Sequence, residues 1–119
     1  LKLNILNLIC GLYPPHPGLI LHRDNIKNLG FYDESYKICA DFDYYIKIFR
    51  SKLNINYINK EIIVSPTGGI STSGFKSVIS IIIERFKILK KYYWFFIALL
   101  PITILIGYLI KIVHRNFFE

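Results

Sequence analysis

The sequence has few cysteines and few acidic residues. Its 119 residues include two cysteines, and 8 Asp/Glu stand against 15 Lys/Arg, which gives a formal net charge of +7. Two cysteines are too few for a disulfide scaffold, and no CxxC or HExxH motif indicates a metal site. The composition therefore excludes cysteine-knot, collagen-like and coiled-coil proteins, and the length suits one small domain.

Apolar residues, in contrast, are abundant. They make up 53% of the chain, with a mean hydropathy of +0.38, which is too apolar for a disordered protein. The longest apolar run is 92–110, which no formally charged side chain interrupts, and as a helix it is long enough to cover roughly 28 Å of a bilayer core. We expect residues 92–113 to be embedded in a membrane, either spanning it or turning back at Pro101. A buried core helix is the alternative, but so small a domain could hardly surround one.

The positive charge is concentrated in the same part of the chain. Residues 1–75 carry 8 Lys/Arg and 6 Asp/Glu, whereas residues 76–119 carry 7 and 2. The segment 76–91 combines this charge with a broad apolar face, so we expect an amphipathic helix that meets anionic lipid headgroups. Nucleic acid is not an expected partner, because residues 1–75 are nearly neutral and hold no recognition motif.

Short patterns predict the elements of the first 75 residues. The helical spacing of Phe42, Tyr45, Ile46 and Phe49 predicts a helix over 40–52. A shorter helix is expected to begin with Asp24 as its N-cap and to stop at Gly30. Alternating apolar residues predict strands at 19–22, 54–59 and 61–65, and a strand or loop at 1–12.

Three features could carry chemistry. Asp41 and Asp43 begin the predicted helix, His16 lies in a proline-rich turn, and Gly68–Ser71 is a glycine-containing loop. One of the two aspartates could face a cleft and act as a general base. The spacing alone favours the simpler interpretation, in which both carboxylates only complement the helix dipole. The glycine loop could hold a phosphate through backbone amides, but it lacks the lysine of a P-loop.

The order of these motifs is more specific than any one of them. Pro15–His16–Pro17, Leu29–Ile38, Ala40–Asp43 and Gly68–Ser71 follow one another along the chain. This series resembles the C-terminal half of bacterial family 2 glycosyltransferases, in the branch that assembles capsule, exopolysaccharide and lipopolysaccharide. The resemblance covers roughly residues 12–75.

The resemblance implies an α/β GT-A fold, the nucleotide-diphospho-sugar transferase fold, and an inverting sugar transfer. By analogy Asp41 is the catalytic base. The substrate-binding positions are His16, Asp43, Gly68, Gly69 and Ser71. The implied partners are a nucleotide-sugar donor and a glycan or lipid-linked acceptor, at the bacterial inner membrane with the catalytic part in the cytoplasm. A divalent metal, Mg or Mn, is expected for the full-length family, with its ligands outside this chain.

The same resemblance predicts the organisation of the chain. Residues 1–75 are expected to be the acceptor-side half of the transferase domain, followed by the basic helix 76–91, the membrane segment 92–113 and a tail at 114–119. The family's N-terminal half, with its nucleotide-binding strands and DxD motif, is absent from the sequence. We therefore expect a truncated product or one piece of a split enzyme with little activity alone. The alternative is a non-enzymatic, membrane-anchored remnant or interaction protein.

Overall fold

The computed structural model describes residues 3–14, 16–58, 60 and 74–118, and over these ranges the regular structure is helical. Short 3₁₀ segments occupy His16–Gly18 and Trp94–Leu99. The five α-helices are α1 (Ile5–Ile9), α2 (Arg23–Leu29), α3 (Ala40–Arg50), α4 (Phe75–Tyr92) and α5 (Leu100–Phe118).

The predicted α/β GT-A fold is wrong, because the described ranges contain no strand. Residues 5–9 form α1 instead, since the side chain of Asn4 accepts a hydrogen bond of 2.8 Å from the backbone N–H of Asn7 and caps a helix. Residues 19–22 and 54–58 are in neither a helix nor a strand. Short apolar alternation becomes a strand only when a neighbouring strand pairs with it. The predicted strand at 61–65 lies outside the described residues.

Helix α3 is the centre of the core. It packs against α1 on one side and α4 on another, while α5 contacts α1. The helical spacing correctly predicted its inward face: Phe42, Tyr45 and Ile46 are buried, and Phe49 is partly buried against them. The remaining buried apolar residues are Leu8, Ile9, Cys39, Tyr44, Ile48, Ile88, Leu89 and Leu100.

Helix α2 confirms one predicted boundary and corrects the other. Gly30 ends the helix with φ of 76°, in the region that favours glycine. The N-cap is His22 rather than Asp24, because Nδ1 of His22 accepts a hydrogen bond of 3.4 Å from the backbone N–H of Asp24. Asp24 lies instead in the first turn, where its charge complements the helix dipole.

The apolar run 92–110 is divided, which corrects the predicted membrane-spanning segment. Helix α4 ends against Tyr93, whose φ of −147° and ψ of 59° are not helical, and a 3₁₀ segment follows. Pro101 lies in the first turn of α5, where a missing N–H costs nothing. The uncharged part of α5, residues 100–110, is only about 16 Å long. In the part of the chain that the structure describes, no helix has the length and apolar character needed to cross a bilayer.

Candidate functional site

The two aspartates at the start of α3 lie in different environments. Asp41 is half-buried, whereas Asp43 is completely buried, with 0% of its surface exposed. Residues two apart on a helix point about 200° away from each other, so the two carboxylates cannot share one ligand. Only Asp41 can reach a ligand from solvent.

Asp41 is held by partners from two parts of the chain. Its Oδ1 accepts a hydrogen bond of 2.7 Å from the backbone N–H of Phe42 and one of 3.4 Å from the hydroxyl of Tyr13. Burial raises the pKa of Asp41, and the N–H of Phe42, the hydroxyl of Tyr13 and the charge of His16 oppose this rise without cancelling it. A positioned carboxylate with a raised pKa has the properties of a general base.

The proline-rich turn brings His16 to this site. His16 is exposed, and its Nδ1 lies 2.8 Å from the hydroxyl of Tyr32 in a hydrogen bond, with the two rings edge to face. Tyr32 in turn stacks on Tyr44, with ring centroids 4.3 Å apart and planes 17° from parallel. His16 also interacts electrostatically with Asp41, which is the link that the structure gives between these two predicted site residues.

Three tyrosines of the site were not predicted. Burial raises the pKa of Tyr13 strongly, with the Asp41 carboxylate adding to the effect, and burial also raises the pKa of Tyr32. Their hydroxyls stay protonated and are hydrogen-bond donors at neutral pH. The third, Tyr44, is buried and stacks on one face of the Tyr32 ring. The one sequence signal for them is position: Tyr13 precedes the proline turn, and Tyr32 lies in the segment Phe31–Tyr36.

Asp43 interacts with two lysines rather than with solvent. Its carboxylate oxygens lie 3.2 Å from Nζ of Lys47 and 3.8 Å from Nζ of Lys91, and the latter ammonium is also 3.7 Å from Asp33. These pairs connect the start of α3 to the end of α4 and to the loop that carries Tyr32. The substrate-binding role predicted for Asp43 stays a prediction, and the contacts that the structure gives it support the helix start.

Cys39, next to the aspartates, is a buried thiol. Burial raises its pKa to about 12, with the nearby Glu84 carboxylate adding to the effect. A thiol that resists ionisation is a poor nucleophile. Cys39 therefore belongs to the core and not to the reactive groups of the site.

Some predicted components lie beyond the described residues. Gly68, Gly69 and Ser71 fall outside the ranges that the structure describes, so their predicted role stays a prediction. Within residues 3–14, 16–58, 60 and 74–118, no group of three or more His, Cys, Asp or Glu side chains is placed to hold a metal ion. The Mg or Mn expected for the full-length family likewise stays a prediction.

The site thus consists of a half-buried carboxylate, an exposed imidazole and two tyrosine hydroxyls that are hydrogen-bonded to them. Groups of this kind recognise hydroxyl-bearing ligands and can remove a proton from them. Comparison of the chain with protein-family models, with curated proteins and with solved structures finds no match.

Proposed function

We propose that this chain is the acceptor-side part of an inverting glycosyltransferase, with Asp41 as its general base. The observation that carries the proposal is the setting of Asp41, a half-buried carboxylate at the start of α3 that is hydrogen-bonded to Tyr13 and lies near His16. The motif order of the sequence supports the same function. The helical structure of the described residues means that the proposal does not include a GT-A fold.

In the proposed reaction, an acceptor hydroxyl donates a hydrogen bond to the carboxylate of Asp41. The carboxylate takes the proton while the hydroxyl oxygen attacks the anomeric carbon of the donor sugar, and the nucleoside diphosphate leaves with the electrons of the broken bond. A raised pKa makes the carboxylate a stronger base, and such a base accelerates proton transfer about 10²–10⁴-fold.

The aromatic rings suit a sugar acceptor. Tyr44 fixes the ring of Tyr32 by stacking on it, and a partly exposed ring held in this way can pack against the C–H face of a pyranose ring. His16 lies at the edge of this ring, within reach of a sugar hydroxyl. The donor is a nucleotide sugar, and the acceptor is a glycan or a lipid-linked sugar.

The rest of the machinery is part of the proposal. A complementary nucleotide-binding part supplies the donor site and the ligands of a Mg or Mn ion. The catalytic part acts at the cytoplasmic face of the bacterial inner membrane. Nucleic acid is not a proposed partner.

Sugar transfer by the chain, co-expressed with a complementary nucleotide-binding half, tests this function. Membranes are incubated with radiolabelled nucleotide sugars, and incorporation into glycan is measured for the native chain, Asp41→Asn and Asp24→Asn. Asp24 is an exposed aspartate on α2 and is the matched control. We expect Asp41→Asn to reduce incorporation at least about 100-fold and Asp24→Asn to leave it unchanged. Equal incorporation by Asp41→Asn and the native chain would show that Asp41 is not the base.

A further inference from the structure

Helix α4 presents a second apolar face that the core does not use. Six large apolar side chains on it are between 40% and 79% exposed: Phe75, Val78, Ile79, Ile82, Ile83 and Phe86. Their spacing of three and four residues places all six on one side of the helix, over three turns. An exposed apolar stripe of this length marks an interaction surface.

Other positions of α4, most of them in its C-terminal half, already pack against the core. Ser77, Arg85, Ile88 and Leu89 are buried in α4. Arg85 donates a hydrogen bond to the carbonyl of Ile9 and lies 4.9 Å from the ring centroid of Phe42. The outward stripe is therefore not required to hold α4 on the core.

Positive charge borders the stripe. At about 100° per residue, the exposed lysines Lys76, Lys87 and Lys90 all lie along the same edge of it. The only acidic residue of α4 is Glu84, and its carboxylate is turned toward the backbone of residues 37–39. No negative charge of α4 thus faces the surface on which the stripe lies.

Exposed aromatic side chains follow the end of the helix in the sequence. Trp94 and Phe95, in the 3₁₀ segment after α4, are 73% and 57% exposed. Tryptophan next to lysine is typical of the boundary between lipid headgroups and acyl chains. A helix with an apolar stripe, a lysine border and an aromatic end has the features of one that lies in the plane of that boundary.

We propose that α4 binds the surface of an anionic lipid bilayer without crossing it. The stripe enters the boundary between headgroups and acyl chains, and the three lysines contact the lipid phosphates. This surface does not include Asp41, so the inference goes beyond sugar transfer and does not depend on it.

Charge argues against a second copy of the chain as the occupant. If two antiparallel copies of α4 met stripe to stripe, the lysine borders would be brought together with no acidic side chain of α4 to compensate them. Like charges that face each other across an interface are destabilising. An anionic lipid surface instead complements both the stripe and its border.

Vesicle sedimentation of the full chain tests the proposal. The probes are vesicles of phosphatidylcholine alone and vesicles that also contain phosphatidylglycerol. We expect at least about tenfold stronger binding to the anionic vesicles, weakened by added salt. Ile82→Glu should reduce this binding at least about tenfold, while Ile20→Glu, a matched change at an isoleucine that is exposed outside α4, should not.

A lysine variant and a measurement of oligomeric state complete the test. The triple change Lys76→Gln, Lys87→Gln and Lys90→Gln leaves the stripe intact and should remove the preference for anionic vesicles. If Ile82→Glu fails to fold by circular dichroism, this variant alone decides the outcome. Equal binding to both vesicle types, no binding, or an unchanged preference in the triple variant would overturn the proposal. A dimer in light scattering that Ile82→Glu disrupts, without vesicle binding, would assign the stripe to a second copy.

Discussion

Glu84 of helix α4 accepts a hydrogen bond of 2.8 Å from the backbone N–H of Cys39, the N-cap residue of helix α3. The same carboxylate accepts the N–H groups of Lys37 and Ile38, each at 3.0 Å. Cys39 offers no side-chain cap of its own, so a residue that lies 45 positions later in the sequence caps the helix that carries Asp41. The negative charge also complements the positive end of the α3 dipole.

Replacing Glu84 by Gln should therefore destabilise the protein. The side-chain NH₂ group of glutamine is a donor and would face backbone N–H groups, which are also donors. At least one of the three hydrogen bonds is therefore lost. Hydrogen bonds to a charged group contribute about 1.5–3 kcal/mol, so we expect the free energy of unfolding in urea to fall by about 2 kcal/mol at pH 7. Glu34→Gln, at an exposed glutamate in the neighbouring loop, should change it by less than about 0.5 kcal/mol.

The effect of Glu84→Gln should depend on pH. Burial acts to raise the pKa of Glu84, but the three backbone donors outweigh it and hold the pKa below its ordinary value of 4.5. A lowered pKa in the folded state contributes stability above about pH 4.5, and this contribution is lost as the pH falls further. The difference between the native chain and Glu84→Gln should shrink below pH 4.5. A difference that is constant down to pH 3 would contradict this account.

Gly107 is predicted to tolerate no side chain. It lies in α5 directly against the backbone carbonyl of Cys10, and a Cβ at this position would collide with that oxygen. Alanine normally favours a helix over glycine, yet here we expect Gly107→Ala to lower the unfolding free energy by about 1–3 kcal/mol because α5 must move away from α1. Gly18→Ala, where an added Cβ meets nothing within 4 Å, is the control and should leave the urea midpoint unchanged.

Local patterns in the sequence predicted the helices that the core uses most. The spacing of Phe42, Tyr45 and Ile46 predicted α3, and Gly30 predicted the end of α2. These signals are reliable because a helix brings an apolar residue to the same face at every turn, and because a positive φ favours glycine. The prediction that His16 and Asp41 share a site came from the family resemblance and stays a prediction; the structure adds an electrostatic interaction between the two side chains.

The failures have a common physical cause. A short apolar alternation does not specify a strand without a partner to pair with, and a hydropathy average over 92–110 does not register the break at Tyr93. The contact of Tyr13 with Asp41 spans 28 residues, and the cap of α3 by Glu84 spans still more. Such contacts depend on how the helices pack, which no spacing in the sequence reveals.

The buried carboxylate of Asp43 should be sensitive to the loss of both its lysines. Lys47→Met leaves Lys91, and Lys91→Met leaves Lys47, so each single change should cost about 1 kcal/mol or less. The double variant leaves a fully buried charge without a cation, which typically costs about 3–5 kcal/mol. We expect the double variant to lose more unfolding free energy than the two single variants combined. If the losses of the two single variants simply add up in the double variant, the folded state does not require a lysine beside the Asp43 carboxylate.

The setting that suits Asp41 to proton transfer should make the native protein less stable than its Asn variant. Burial raises the pKa of Asp41 above its ordinary value of 3.8, and its hydrogen bonds to Phe42 and Tyr13 only reduce this rise. A folded-state pKa above the unfolded one means that stability decreases as the pH rises through this interval. Asp41→Asn should therefore have the higher urea midpoint at pH 7, with the difference vanishing below about pH 3.8. Asp33→Asn should behave oppositely, because the hydroxyl and the N–H of Ser35 lower the pKa of Asp33. If Asp41→Asn is less stable than the native chain at pH 7, the ionised carboxylate stabilises the fold, and this account of Asp41 is wrong.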